Sequence, residues 1–510
     1  MALAIAIILT LGASNCAFAA ETPTTKTISV KSGSKHTYEV FQIFTGTKNG
    51  DQLTSLKYGK NAVGATNDPV SQNDMTTLSK LTDQTRENDQ TDITNLLPFV
   101  DLSTTPIATV SDGNPYSAEV GYYLIRDAAS SPSDKTETQT LYLLKVIAED
   151  VEITPKDGTT TSDKEVKDIN DSTDSTTGSW QKSADWDIGD RVPFRLTATL
   201  PANYTDYKTY HLTFHDTESE GLTFDASSVK VYVDDSTTPV AASNYAVVTD
   251  NIGTETFQIV FTYKNLTDMN ITNNSIIHVE YESELNSNAK IGGDEGNPNT
   301  SNVTFNNNPN SDQDGEEGGE TPEKTAIVFT YKTVINKVDQ SGDPLTGAEF
   351  TLVKNLQVGG TKTIAVVKLD KEGKAEVVSG EGATATSNAT KFSFNGLDDG
   401  TYVLTETKTP AGYNTIAPVT FKIEATHTTN DGTKAALKEL EGADLTSGEV
   451  KLTFREADTH GSLNADVVNA SGAVLPSTGG SGTTMIYIIG VILLAGAGIL
   501  LVTRRRMKAE

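Results

Sequence analysis

Apolar and polar residues alternate along most of the interior of this 510-residue chain. The alternation is clearest in two stretches, one with Val192, Phe194, Leu196, Ala198 and Leu200 and one with Phe257, Ile259, Phe261 and Tyr263. Successive side chains of a β-strand point to opposite faces, so a period of two predicts half-buried antiparallel strands. The pattern therefore predicts an all-β protein built mainly from β-sandwiches.

The first part of the chain after residue 20 mixes strand patterns with one helical pattern. Strands are predicted at residues 37–44, 121–124 and 141–144. Met75, Leu78 and Leu81 recur every three residues, which predicts a helix. We expect this part to form a domain of its own.

Composition divides the exported chain into three domains. Residues 158–307 and 325–473 both alternate, and residues 308–324 between them are rich in Gly, Pro and acidic residues. Such a composition is typical of a linker. The sequence therefore predicts tandem immunoglobulin-like β-sandwich domains at 21–157, 158–307 and 325–473.

Both ends of the chain have the pattern of targeting segments. Residues 1–20 are apolar and contain Ala-Phe-Ala at 17–19, which predicts a signal peptide with its cleavage site. Residues 485–502 form an uncharged apolar run just long enough to cross a bilayer as a transmembrane helix. The basic tail at 504–508 should stay in the cytoplasm. The only cysteine, Cys16, lies in the signal, so the mature chain has no disulfide.

Charge and motif content exclude several classes of function. Asp and Glu number 68 against 40 Lys and Arg, a net charge of −28 that disfavours any nucleic-acid partner. Residues 310–321 resemble a calcium loop but end in Thr321, where a bidentate Glu is needed. His211 and His215 share a strand face without a third ligand nearby. We therefore expect no cofactor, no metal and no enzyme active site for an external substrate.

A pentapeptide stands just before the apolar run and consists of Leu475, Pro476, Ser477, Thr478 and Gly479. Together with the apolar span and basic tail, residues 475–510 resemble the cell-wall sorting signal of Gram-positive surface proteins. In that family sortase, a membrane transpeptidase, cuts between the Thr and the Gly and passes the Thr carbonyl to an amine. The resemblance implies cleavage between Thr478 and Gly479 and a secreted chain anchored to the wall of a Gram-positive bacterium. A single-pass anchor is the alternative.

Three polar residues of the last domain lie at the parity of its core residues. Lys337 shares parity with Tyr331 and Ile335, Glu406 with Tyr402 and Leu404, and Asn469 with Leu463, Ala465 and Val467. Burying an amine, a carboxyl or an amide alone costs several kcal/mol unless the groups satisfy one another. A buried salt bridge is the simplest interpretation of this pattern.

The surrounding sequence resembles the collagen-adhesin B-type domain. Residues 337–350 (KVDQSGDPLTGAEF) look like its first strands, residues 402–413 (YVLTETKTPAGY) resemble the pilin E-box, and residues 468–469 resemble its last strand. In those domains a Lys and an Asn form an intramolecular isopeptide bond that the E-box Glu catalyses. The resemblance implies a bond between Lys337 and Asn469, with Glu406 as the catalytic residue.

Burial explains why such a site would react. An apolar environment favours a neutral lysine, which is a nucleophile, and a protonated carboxyl, which can hydrogen-bond to the Asn carbonyl. The acid then shuttles the proton as ammonia leaves. The reaction needs no cofactor.

The middle domain repeats the arrangement. Lys164 shares parity with Val166, Asp216 with Leu212 and Phe214, and Asn299 with Ser301, Val303 and Phe305. The segments at 163–168, 185–190, 215–224 and 299–309 resemble the middle domain of backbone pilins. This resemblance implies a bond between Lys164 and Asn299 with Asp216 catalytic. Lys167 and Asn297 are alternatives for the two bonded residues. A simpler alternative is that these lysines and asparagines are ordinary surface residues. The first domain shows no comparable set.

The boundary between the first two domains, residues 150–157, reads DVEITPKD. It is similar to the pilin motif of shaft subunits, whose Lys attacks the sortase thioester of the next subunit. Thr154 stands where the motif has Tyr, so the match is partial. The resemblance implies that Lys156 is the intersubunit acceptor, and the alternative is a solvated linker lysine.

The order of these features resembles that of a major (backbone) pilin of sortase-assembled pili. The resemblance implies that Thr478 of one subunit is joined to Lys156 of the next. It implies as partners the pilin and housekeeping sortases, identical subunits, tip and basal pilins, peptidoglycan and host surface ligands. The main alternative is a monomeric wall-anchored adhesin, which needs no acceptor lysine. A basal pilin and, more distantly, a secreted enzyme are further alternatives.

Overall fold

The computed structural model describes most of the exported chain and confirms that it is an all-β protein of tandem sandwiches. The described residues run from 25 to 472 except 50–51, 79–89, 148, 156–157, 170–177, 314, 316–317, 357–359, 373–374, 380–383, 388–389, 429–436, 445–454 and 457–460. The predicted signal peptide, sorting motif and transmembrane span lie outside them. No helix within the described residues is long and apolar enough to cross a membrane.

The first domain contains a three-stranded sheet, β5-β1-β8, and a five-stranded sheet, β3-β2-β6-β7 with β4 paired to β2. Its elements are β1 (Thr25–Val30), β2 (Thr37–Asn49), β3 (Gln52–Tyr58), α1 (Gln72–Leu78), α2 (Gln90–Leu96), a 3₁₀ turn (Leu97–Phe99), β4 (Ala108–Ser111), β5 (Tyr116–Glu119), β6 (Gly121–Asp127), β7 (Leu143–Ile147) and β8 (Val151–Ile153). The helix expected around Met75 is α1, while Leu81 lies outside the described residues.

The middle domain packs a five-stranded sheet, β10-β9-β12-β17-β14, against a seven-stranded sheet, β11-β20-β18-β13-β16-β15 with β19 paired to β18. Its elements are β9 (Thr161–Asp168), β10 (Ser179–Gln181), β11 (Ser183–Asp185), β12 (Arg191–Thr199), a 3₁₀ turn (Tyr204–Asp206), β13 (Leu212–Glu218), β14 (Leu222–Val233), a 3₁₀ turn (Ala242–Asn244), β15 (Ala246–Val248), β16 (Phe257–Phe261), α3 (Tyr263–Asp268), β17 (Ile276–Leu285), β18 (Asn297–Phe305), β19 (Gly319–Glu320) and β20 (Lys324–Phe329).

The alternation predicted in this domain is confirmed with one exception. The even-numbered apolar residues of β12 and the odd-numbered ones of β16 are all buried. Tyr263, however, begins α3 instead of extending the strand. Thr262 caps this helix, since its hydroxyl accepts a hydrogen bond from the Asn265 amide. The strand therefore ends at Phe261, two residues earlier than the alternation implies.

The C-terminal domain packs a five-stranded sheet, β25-β26-β21-β31-β30, against a six-stranded sheet, β24-β23-β22-β27-β28-β29. Its strands are β21 (Tyr331–Asp339), β22 (Glu349–Asn355), β23 (Thr361–Leu369), β24 (Ala375–Ser379), β25 (Thr384–Ser387), β26 (Lys391–Leu397), β27 (Gly400–Lys408), β28 (Val419–His427), β29 (Leu437–Asp444), β30 (Arg455–Glu456) and β31 (Ser462–Asn469). The first and last strands, β21 and β31, pair in parallel.

The boundary between the last two domains differs from the expected position at residue 325. β20 pairs with β18 and β11 and so belongs to a sheet of the middle domain. Its side chains alternate between two cores, because Ala326 and Val328 face the middle core while Ile327 and Phe329 face the C-terminal one. A strand shared in this way leaves no free linker at 325, and the boundary falls at Thr330 instead.

The described part of the predicted linker, 308–324, is packed rather than free. β19 within it pairs with β18, and Thr321 is buried. The Asn310 side chain accepts a hydrogen bond from the Tyr142 amide (2.8 Å) and donates one to the Thr140 carbonyl (2.9 Å). The polar composition of this segment thus reflects amide side chains that hydrogen-bond to the backbone of the first domain. Composition alone cannot distinguish such a packed segment from a solvated linker.

Candidate functional site

The middle domain brings its three predicted polar residues into one buried cluster between its sheets. Lys164 lies on β9 in one sheet, while Asp216 on β13 and Asn299 on β18 lie in the other. None of the three side chains is exposed to solvent. β13 and β18 are antiparallel neighbours, with Asp216 opposite Ser301 and Glu218 opposite Asn299. Strand pairing therefore sets the carboxyl and the amide side by side, facing the amine across the sandwich.

Tyr281 of β17 connects the amine to the amide. Lys164 Nζ donates to Asp216 Oδ2 (2.5 Å) and to the Tyr281 hydroxyl (2.9 Å). That hydroxyl donates to Asp216 Oδ2 (3.0 Å) and accepts from Asn299 Nδ2 (2.9 Å). One phenol thus uses its single proton and both lone pairs within the cluster.

Burial favours the uncharged form of the Lys164–Asp216 pair. Burial lowers the pKa of Lys164, against the opposing effect of the Asp216 charge. Burial likewise raises the pKa of Asp216, although Lys164 and Tyr281 oppose the shift. A neutral amine beside a protonated carboxyl is the state in which the amine can attack an amide carbon.

The two alternative residues lie apart from this cluster. The Lys167 amine sits over the Trp180 ring, 5.8 Å from its centroid. The Asn297 side chain is used in a turn, where its amide donates to the carbonyls of Lys290 and Val328 (both 3.1 Å). The geometry therefore favours Lys164 and Asn299 over the alternatives that the sequence left open.

The C-terminal domain assembles its cluster differently. Lys337 and Asn469 lie in one sheet on the parallel neighbours β21 and β31, where Lys337 stands opposite Val467 and Asp339 opposite Asn469. Glu406 lies on β27 in the facing sheet. Asn469 Nδ2 donates to both Glu406 oxygens (3.0 and 3.1 Å), and Lys337 Nζ donates to the Val467 carbonyl (2.9 Å). Here amine and amide are neighbours in one sheet and the acid approaches from the other.

Burial acts on the Lys337 amine as well. Burial lowers the pKa of Lys337 to about 8, with Glu406 opposing the shift. Among the described residues, Asn469 Oδ1 accepts no hydrogen bond, as is true of Asn299 Oδ1 in the middle domain. An amide oxygen left without a donor in a buried site can accept a proton from a neighbouring acid, which activates the amide carbon.

Sequence reasoning missed two members of the middle cluster, Tyr281 and Glu218. Glu218 Oε1 accepts hydrogen bonds from Asn299 Nδ2 (3.2 Å) and Ser283 Oγ (2.5 Å). Burial raises the pKa of Glu218 to about 8. Glu218 has the parity of Asp216 on β13, which is the signal that could have identified it. Tyr281 has no such signal, since a strand tyrosine is ordinarily core.

Glu218 should give the middle domain a measurable pH dependence. The folded carboxyl keeps its proton up to about pH 8, while the unfolded one ionises near its ordinary 4.5. Between these values the folded state binds more protons, so the free energy of unfolding should fall as pH rises, by up to about 1.4 kcal/mol per pH unit. Denaturant unfolding from pH 5 to 7 should show that Glu218→Gln removes this slope. The exposed control Glu220→Gln should keep it, and an equal slope in all three chains would refute the assignment.

The predicted acceptor lysine and the sorting motif lie outside the described residues. Lys156 falls between β8, which ends at Ile153, and β9, which begins at Thr161. The chain there passes from the first domain to the middle one. The residues 475–479 follow the last described residue, 472.

Comparison with known proteins identifies two regions by family. Residues 332–440 match the prealbumin-like fold domain of the SpaA family, and residues 467–508 match the LPXTG cell wall anchor motif. A 368-residue alignment with the trypsin-resistant surface T6 protein of Streptococcus pyogenes serotype M6 is 26% identical. It spans 62% of this chain and 65% of that relative, slightly less than two thirds of its length.

One solved structure shows the same fold, and a second is reported beside it. The T6 backbone pilin of S. pyogenes, described as a modular three-domain structure, superposes with a TM-score of 0.51 at 19% identity, covering 90% of this chain and all of that one. The full-length major pilin SpaD of Corynebacterium diphtheriae matches with a TM-score of 0.48 at 16% identity, covering 90% of this chain and 99% of that one. The chain thus has the fold of the three-domain T6 pilin and carries a wall-anchor motif.

Proposed function

We propose that this chain, which shares the fold of the T6 backbone pilin and ends in an LPXTG wall anchor, is the polymerised shaft subunit of a sortase-assembled pilus. The observation that carries the proposal is the combination of the anchor motif at 467–508 with three tandem sandwiches, two of which hold a buried Lys–acid–Asn cluster. The subunit is structural, and its chemistry consists of crosslinking itself and serving as a sortase substrate.

Polymerisation uses the two ends of the exported chain. Sortase cleaves the Thr478–Gly479 bond, and the Thr478 carbonyl becomes a thioester on the enzyme. The neutral Lys156 amine of another subunit attacks this carbonyl, an amide forms, and the sortase thiolate leaves. Each step releases one C-terminal peptide and joins one subunit.

Each cluster supports an isopeptide bond made without a cofactor. In the middle domain the neutral Lys164 amine attacks the Asn299 side-chain carbon while protonated Asp216 activates the amide oxygen. The tetrahedral intermediate then expels ammonia, to which the acid relays the proton. The balance is one amine and one amide giving one new amide and one ammonia. Lys337, Asn469 and Glu406 take the same roles in the C-terminal domain.

The two bonds suit a fibre under tension. The C-terminal bond joins the first and last strands of its domain, β21 and β31, and the middle bond joins its first strand, β9, to β18 near its end. Force applied at one end of a domain can then pass through the covalent bond, so it need not break the backbone hydrogen bonds between the strands that the bond spans. Each bond closes a loop of more than a hundred residues, which by the chain-entropy model stabilises the domain by about 5 kcal/mol.

Immunoblots of wall fractions test the polymer directly. Wall proteins are released enzymatically from the native host, boiled in SDS and probed for this chain in wild type, Lys156→Ala and Lys31→Ala cells. We expect a high-mass ladder in wild type and in Lys31→Ala, which changes an exposed lysine of the first domain. Lys156→Ala should collapse the ladder to a monomer.

The other outcomes separate the competing functions. A ladder that survives Lys156→Ala would keep the pilin function but refute Lys156 as the acceptor. One wall-linked band in all three strains would refute polymerisation and identify a monomeric anchored adhesin. Loss of Thr478 by substitution to alanine should abolish both ladder and wall linkage, which verifies that the anchor is sortase-dependent.

A further inference from the structure

An unusual number of carboxyl groups is buried where the middle and C-terminal domains meet. The five buried residues are Asp168, Asp185, Asp187, Asp398 and Asp399. The buried amine at this junction, Lys354 Nζ, donates to Asp187 Oδ2 (3.0 Å) and Asp398 Oδ2 (2.9 Å). That lysine accounts for two of the five carboxyls. Buried carboxylates without a countercharge are costly, so Asp168 and Asp185 need another source of positive charge.

Three of the side chains at this junction converge on one point. One ligand atom each of Asp168, Asp185 and His427 lies within 4.8 Å of the other two. Asp185 stands in the same relation to Asp398 and Asp399. Asp168 and Asp185 come from the ends of β9 and β11 in the middle domain, and His427 from the end of β28 in the C-terminal domain. The convergence therefore exists only when the two domains are docked.

Asp185 at the centre of this group lacks the partners that a buried carboxylate requires. It is 1% exposed, and its neighbours are the buried Tyr331 hydroxyl and the His427 imidazole. Neither of these groups reaches hydrogen-bond geometry with it, so neither Asp185 oxygen accepts a hydrogen bond from any described residue. Asp168 Oδ2 accepts from Gln181 Nε2 (2.6 Å), but its Oδ1 also accepts none. Buried polar atoms of native proteins almost always have a partner, so three such oxygens in one place indicate that something binds them.

The hydrogen bonds of His427 determine which ring nitrogen faces the carboxylates. Ser183 Oγ donates its only proton to the Thr428 carbonyl, so it must accept from His427 Nδ1 at 2.7 Å. In the neutral imidazole Nε2 then carries a lone pair, and it lies 3.5 Å from Asp185 Oδ1. Two lone pairs facing each other repel unless a cation or a proton lies near both.

We propose that Asp168, Asp185 and His427 bind a divalent metal ion of the zinc class and that this ion clamps the middle domain to the C-terminal one. Imidazole nitrogen together with carboxylate oxygen is a ligand set that zinc accepts. Calcium takes oxygen ligands, so His427 disfavours it. Ser183 supplies the outer hydrogen bond that orients a ligating imidazole and leaves Nε2 for the metal.

A protonated junction is the competing state. Burial raises the pKa of Asp168 to about 7, and the Asp185 carboxylate holds the pKa of His427 above its usual 6.5 against the effect of burial. An imidazolium would place a hydrogen between Nε2 and Asp185. The remaining oxygens would need a protonated Asp168 as a donor and the buried Tyr331 hydroxyl turned toward Asp185. This state thus requires two added protons and a reoriented hydroxyl, where one metal ion suffices.

The test measures metal binding to the exported chain, residues 21–478. The chain is stripped with a chelator, dialysed against zinc chloride and then against buffer, and its metal content is determined by mass spectrometry of the elements. We expect one zinc per chain in wild type and in Asp250→Asn, which changes an exposed aspartate. Asp185→Asn and His427→Gln should each weaken zinc binding at least tenfold in a competition titration. Circular dichroism checks that the variants are folded.

Several results would overturn the proposal. Wild type without stoichiometric zinc would refute it whatever the variants do. Equal zinc binding by wild type, Asp185→Asn and His427→Gln would show that the metal sits elsewhere. Calcium displacing zinc at equal concentration would refute the role of His427. Because the wild-type measurement needs no variant, a variant that fails to fold leaves the test intact, and none of these outcomes depends on polymerisation.

Discussion

Replacing Glu406 with alanine is expected to leave in the exported chain one ammonia that wild type loses, when each measured mass is compared with the mass calculated from that chain's own residues. It should also lower the free energy of unfolding of the C-terminal domain by about 5 kcal/mol. The carboxyl is the acid that contacts Asn469 through both oxygens, so without it the Lys337 amine faces an amide that no proton donor activates. Intact-mass spectrometry counts the ammonia molecules that the chain has lost, and denaturant unfolding of the same sample measures its free energy of unfolding.

The controls distinguish loss of catalysis from loss of packing. Glu406→Gln keeps the volume of the side chain and cannot relay a proton as an acid does. This variant should therefore retain the same one ammonia relative to its calculated mass. Glu424→Ala removes a partly exposed carboxyl of β28 and should leave both readings as in wild type. A Glu406→Ala chain that falls short of its calculated mass by as many ammonia molecules as wild type does would refute the catalytic role. A wild-type mass equal to its calculated mass would refute the bond itself.

Asp216→Asn is expected to restore one ammonia to the mass and to cost the middle domain about 5 kcal/mol on the same loop-closure argument. The substitution keeps the shape of the side chain but removes the acid that Lys164 and Tyr281 both contact. Combined with Glu406→Gln it should restore two ammonia molecules. The two sites lie in separate cores, so the effects on mass should be additive.

The second carboxyl of the middle cluster makes this experiment discriminating. Glu218 contacts Asn299 as well, so it is the one other acid in the described cluster that could take over the role. Ammonia loss that persists in Asp216→Asn and disappears in Glu218→Gln would transfer the catalytic role to Glu218. The exposed Asp250→Asn serves as the matched control and should lose both ammonia molecules, as wild type does.

The chemistry that we propose for the two clusters would start from two different geometries. In the middle domain the amine crosses the sandwich to meet the acid and the amide, and Tyr281 fills the space between them. In the C-terminal domain the parallel pairing of β21 and β31 already brings amine and amide together, and only the acid crosses. The proposed bond of the middle domain would join the two layers of its sandwich, whereas that of the C-terminal domain would join two neighbouring strands of one sheet.

Much of this protein follows from its sequence. Alternation with a period of two predicted the all-β fold, and parity alone placed Lys164, Asp216, Lys337 and Glu406 in the cores. These inferences hold because the direction of a strand side chain depends only on its position in the strand. The family resemblance implies what parity cannot, namely which buried amine would be joined to which buried amide.

The tertiary structure decided what depends on contacts between distant segments. β20 alternates like any strand, and only its pairing shows that its two faces serve two cores. Tyr281 and Glu218 enter the middle cluster through strand register. Ser183 and His427 meet across 244 positions of sequence, and they do so only because two domains dock. Local patterning specifies which face of a strand is buried, whereas pairing and docking decide what that face meets, because the free energy of those contacts comes from residues that no local window contains.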